Sequence, residues 1–154
     1  MALHPLLCYD PTARLMFNVT RDTRYVQLRP ECSPRMLQAP ALTPPVPRLL
    51  ITITGFPAWA IEVVNPRGVT VSDVLGRIFD TLNCPVSQQE ITQYPAAMVT
   101  SAGHSFRART QMVPQEYAQG VKRVDFIAPK VFFVGLTKCR SGHDRWEVHF
   151  SMNV

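Results

Sequence analysis

The chain has 154 residues, 46% of them hydrophobic and 18% charged, with a formal net charge of +5. That balance suits one ordinary domain with a buried core and excludes a disordered chain. No run approaches the roughly 18 uninterrupted apolar residues of a membrane helix, and the Arg and Lys residues are too dispersed to make a nucleic-acid-binding stripe.

The first residues, "MALHPLLCYDPTARL", lack a basic start followed by an apolar stretch, and Pro5 and Asp10 interrupt them. This reads as an intracellular, cytoplasmic protein. The four cysteines, Cys8, Cys32, Cys84 and Cys139, lack tight spacing and are expected as free thiols. Residues 1–47 are expected to form a Pro-rich arm packed on a regular core of residues 48–154, together making one domain. "ARLMFNV" and "RYVQL" suit short strands. The run from Glu31 to Pro47 carries Pro34, Pro40, Pro44, Pro45 and Pro47, which cannot donate ladder hydrogen bonds.

From Arg48 the pattern becomes regular. Leu49, Ile51 and Ile53 alternate with Leu50, Thr52 and Thr54, and Ile61 and Val63 alternate with Glu62 and Val64, predicting two strands around Gly55-Phe56-Pro57. Val71, Val74, Leu75, Ile78, Phe79 and Leu82 then repeat at helical spacing, with Thr70 and Asp73 as a cap and Asn83 and Pro85 as the stop. Ser87 and Glu90 start a second helix, and Pro95 starts a third that runs to about Met112. Val121–Ile127, Lys130–Thr137 and Arg145–Met152 are β-branched or aromatic runs and are read as strands. The expected fold is α+β: an antiparallel sheet of about five strands with two or three helices mainly on one face.

The segments "HPLL", "TVSDVLGRIFDTL", "GVKRVDF", "FVGL" and "RWEVHFS" together resemble a fungal domain family of unknown function, abundant in basidiomycetes. The resemblance spans His4 to Ser151 and implies a fungal origin and a compact domain. It supplies no catalytic residues.

The chemistry-bearing residues cluster late in the chain. If Arg123–Ile127 and the last strand were neighbours, Arg123, Asp125, Glu147 and His149 would share one polar face, opposite Val124, Phe126, Trp146, Val148 and Phe150. That face could hold an acid/base site built on His149, or be a solvated surface with weak ion pairs. The solvated reading is the expected one. Cys84 and Cys139 lack a local signature for an activated thiol. The spacing of His4 with Cys8 and of Cys139 with His143 has no Cys-x-x-Cys form, so no metal is expected. Without a Gly-rich phosphate loop, no cofactor is expected either. The loop Phe56-Pro57-Ala58-Trp59 could present apolar anchors, and His104, Arg107 and Arg109 on the third helix could grip a phosphate or an acidic partner, with a solvated helix face as the expected reading.

Two functions fit. The first is a non-catalytic module that binds a protein or small-molecule partner. The second is a small cofactor-independent enzyme, an isomerase, cyclase or hydrolase of fungal secondary metabolism, using His149 with Asp125 or Glu147.

Overall fold

The computed structural model describes residues 1–10, 14–140 and 145–152. The arm contributes β1 (Ala2–Leu3), β2 (Leu15–Met16), β3 (Gln27–Leu28) and β4 (Leu42–Thr43). These pair as two short antiparallel ribbons, β1 with β4 and β2 with β3. β5 (Arg48–Ile53) and β6 (Ile61–Val64) follow, then the helices α1 (Val71–Leu82), α2 (Gln88–Ile91), α3 (Ala96–Met112) and α4 (Arg123–Ile127). β7 (Phe132–Lys138) and β8 (Arg145–Ser151) complete a four-stranded sheet in the order β6-β5-β8-β7.

The α+β class holds, but the sheet is neither five-stranded nor purely antiparallel. β8 lies between β5 and β7, parallel to β5 with Ile53 opposite Val148, and antiparallel to β7. Period-two alternation assigns faces and is blind to neighbours, so it could not reveal the parallel pair. A second correction concerns the run expected as a strand from Val121: Arg123–Ile127 is helical. Asp125 accepts the Lys122 backbone N–H at 2.8 Å, closing a helical first turn that five residues of alternation could not announce.

The core follows the expected faces. Leu49, Ile51, Ile53, Ile61, Val63, Trp146 and Val148 are buried in one cluster with Val71, Val74, Leu75, Ile78 and Leu82 of α1. Each such side chain contributes about 1.5–3 kcal/mol when fully buried. The start of α1 is held by reciprocal bonds, with Thr70 Oγ1 accepting from the Asp73 amide at 3.1 Å and Asp73 accepting from the Thr70 amide at 2.9 Å. At the other end the Asn83 side-chain amide donates to Phe79 O at 2.8 Å and to Val19 O at 2.9 Å, tying the helix to the arm.

The arm also covers the outer edge of β7. Leu136 N–H donates to Leu7 O at 2.7 Å, Tyr9 N–H to Leu136 O at 3.3 Å, Asp10 N–H to Val134 O at 3.1 Å and Phe133 N–H to Phe17 O at 3.0 Å. This edge is therefore paired within the chain and closed to strand addition. Gly135 makes the arrangement possible. It sits at an irregularity in the β7–β8 register with φ of 128°, and a Cβ there would run into the backbone of Cys8 and Tyr9. Gly135→Ala is thus expected to lose about 1–3 kcal/mol of stability in denaturant titration. Hydrogen exchange should show the Tyr9 and Asp10 amides losing protection before those of β5.

Candidate functional site

Parallel pairing carries the C-terminal ends of β5 and β8 to the same margin of the sheet. Past Ile53 the chain turns away at Gly55, which has φ of 86°, while β8 continues through His149 and Phe150. A cleft of about 310 Å³ opens there, lined by Ile53, Thr54, Phe56, Ile127, Lys130, Val148, His149 and Phe150. The wall is mainly apolar, with Thr54, Lys130 and His149 as its polar points. His149 is half-buried: its Nε2 lies 2.7 Å from Thr137 Oγ1, and the Tyr9 ring meets it edge-on at 5.0 Å. Lys130 is exposed and has no acidic partner among the described residues.

The four residues expected to share a polar sheet face are instead dispersed. Glu147 stays beside the cleft on β8, where its carboxylate accepts from the Thr54 hydroxyl. Asp125 is 2% exposed, and both its oxygens are engaged by Arg109, at 2.9 Å from Nε and 2.9 Å from Nη2. Glu116 bridges Arg109 at 3.0 Å and Lys122 at 2.9 Å, completing a neutral set of two cations and two carboxylates. Burial alone would weaken Arg109's hold on its proton, but the bond to and charge of Asp125, with Glu116 behind it, outweigh that and raise its pKa. Arg123 turns the other way, its guanidinium 5.5 Å from the centre of the Trp59 ring and 3.4 Å from Thr81 O. Asp125 is therefore a structural anion between α3 and α4, and the expectation of a solvated face fails for it.

The expected surface anchors are also interior. Trp59 is fully buried and Phe56 8% exposed, because the two rings stack at 4.1 Å and 4° and are enclosed by Tyr94 and Phe126. Phe56 reaches the cleft as part of its wall, whereas Trp59 does not line it. Burial raises the Tyr94 hydroxyl above its ordinary value, Glu90 adds to the shift, and Arg123 and Trp59 oppose it. On α3, His104 and Arg107 are exposed, while Arg109, two residues on, points inward with Ala102 and Thr110. The spacing of 102, 106, 109 and 110 on one helical face is the sequence signal that separates Arg109 from its neighbours.

A second cavity, of about 380 Å³, lies within the arm between His4, Pro5, Leu6, Arg14, Glu31, Cys32 and Met36. His4 Nδ1 accepts the Leu6 amide at 3.1 Å, which explains the His in "HPLL" and fixes the imidazole proton on Nε2. Burial, and then the positive charge of Arg14, lower the His4 pKa below 6.5. Among the described residues no group of three or more His, Cys, Asp and Glu is placed to hold a metal. His143 lies outside those residues, so its pairing with Cys139 does too.

The model of a family of unknown function, DUF6699, matches residues 15–145 of the chain. No curated protein and no solved structure matches it. No helix among the described residues is long and apolar enough to cross a membrane.

Two expectations follow from this electrostatic layout. Asp125→Asn, which strips the charge facing a nearly buried Arg109, should lower unfolding free energy by about 3 kcal/mol or more in urea titration. For His4, the folded protein resists protonation more than the unfolded chain does. Its stability contribution is therefore full above 6.5 and declines as pH falls from that value through the lowered folded pKa. Arg14, Glu31 and Cys32 share its cavity, so the matching control is His4→Gln. That variant should flatten the decline in unfolding free energy measured between neutral and mildly acidic pH.

Proposed function

We propose that this chain, which belongs to the DUF6699 family of unknown function, is a ligand-binding module whose ligand occupies the cleft at the ends of β5 and β8. One observation carries the reading. The cleft couples an apolar wall of Ile53, Phe56, Ile127, Val148 and Phe150 to a cation with no acidic partner among the described residues, Lys130, and a half-buried imidazole, His149. Small-molecule sites are concave and mostly apolar with a few polar groups that set orientation, and this cleft has that composition and a volume at the low end of the usual range. The matching ligand is a small amphiphile with an apolar body and a carboxylate head, its head at Lys130 and His149.

Calorimetric titration with octanoate and with octanol tests this directly. Octanoate should bind at least about tenfold more tightly than octanol, and Lys130→Met should remove most of that difference. Phe150→Ala should weaken both ligands. Equal affinity for the acid and the alcohol in folded protein would defeat the reading, as would failure of Lys130→Met to change the preference.

A cofactor-independent enzyme is the second reading, and the placement of His149 at the cleft wall favours it. Of the groups expected to do acid/base work, His149 alone lines the cleft, since Asp125 is bound by Arg109 and Glu147 by Thr54. His149 would act alone as acid or base, held by Thr137. A bound ligand that is chemically altered by the native chain, and bound but unaltered by His149→Phe, would select this reading over simple binding.

A further inference from the structure

The cavity inside the arm carries a separate argument. Arg14 and Glu31 line it with opposite charges, yet they make no ion pair with each other or with any other described residue. His4 lines the same cavity, and its Nε2–H remains a donor because Nδ1 accepts from Leu6. Leu6, Pro5, Cys32 and Met36 supply the apolar remainder of the wall.

Backbone hydrogen bonds hold the segments that carry this wall, while the Arg14 and Glu31 side chains are exposed. His4 N–H donates to Ala41 O at 2.8 Å, Arg29 N–H to Arg14 O at 3.1 Å and Cys32 N–H to Arg29 O at 2.9 Å. Ser33 Oγ accepts the Arg35 amide at 3.3 Å and so starts the helical turn that carries Met36. The backbone of the site is therefore set before a ligand enters, and the ordering cost falls on the Arg14 and Glu31 side chains.

We propose that this cavity binds a free α-amino acid with an apolar side chain. The carboxylate lies against the Arg14 guanidinium and His4 Nε2–H, the ammonium against Glu31, and the side chain among Leu6, Cys32 and Met36. A zwitterion neutralises both unpaired charges at once, which neither a simple anion nor a simple cation does. The volume of about 380 Å³ admits a side chain of leucine or methionine size. The site shares no residue with the cleft at Lys130 and His149.

The experiment is calorimetric titration of the full chain with L-leucine, with 4-methylpentanoate, which lacks the ammonium, and with 3-methylbutylamine, which lacks the carboxylate. L-leucine should bind at least about tenfold more tightly than either analogue. Arg14→Gln should weaken L-leucine by a similar factor and leave the amine unchanged, and Glu31→Gln should weaken L-leucine and leave 4-methylpentanoate unchanged. Both side chains are exposed, and unchanged thermal unfolding of each variant will show that the fold is retained. Lys130→Met, in the other cleft, should leave L-leucine binding intact. The proposal is overturned if L-leucine does not bind, binds no better than its truncated analogues, or binds folded Arg14→Gln and Glu31→Gln as it binds the native chain.

Discussion

The last strand of the chain lies in the middle of its sheet, and most of the architecture depends on that placement. β8 pairs with β5 on one side and β7 on the other, so it closes the sheet only after every other strand has been made. Its parallel pairing with β5 brings two strand ends to one margin, and the cleft forms where β5 turns away at Gly55 and β8 runs on. On the far side, β7 is left as an edge, and the arm binds that edge through backbone hydrogen bonds made possible by Gly135. The "HPLL" and "FVGL" segments, over a hundred residues apart in sequence, thus meet as one structural element.

Polar groups in this fold have two distinct fates. Where burial is deep, charges are matched: Arg109, Asp125, Glu116 and Lys122 balance one another and bind α3 to α4 and to the turn between them. Such a group cannot readily exchange protons or accept a ligand, since removing any member leaves an uncompensated buried charge. Where a cavity meets solvent, charges have no ion-pair partner among the described residues, as with Lys130 in one cleft and Arg14 and Glu31 in the other. It is the second kind, not the first, that has free energy to offer a ligand.

Much of the local structure was legible. The stripe of α1, the Thr70–Asp73 cap, the alternation of β5 and β6 and the Pro95 start of α3 all appear where their patterns place them. These signals are short-range, because a cap or an apolar period is complete within a few residues. "RVDFI" failed for a long-range reason: its alternation suits a strand, but Asp125 closes a helical turn and finds Arg109 sixteen residues away. The Phe56–Trp59 loop failed similarly, since its rings are enclosed by Tyr94 and Phe126 from distant segments. His149, which lines the cleft, was among the residues expected to carry chemistry, while Lys130 was not. A lone Lys after Pro129 has no local pattern to distinguish it from any solvated lysine.

By itself the sequence determined the α+β class, the faces of the principal strands, the position of the amphipathic helix and the proline-rich irregularity of the first segment. Those properties follow from period, capping and proline chemistry, each of which acts within one element. The tertiary structure alone decided that β8 runs parallel to β5, that Asp125 is a buried counter-ion and that His149 shares a cleft with Lys130 and Phe56. Strand order, ion pairing and cavity lining are relations between elements far apart in the chain. They are set by which surfaces pack together, and no window of neighbouring residues contains that information.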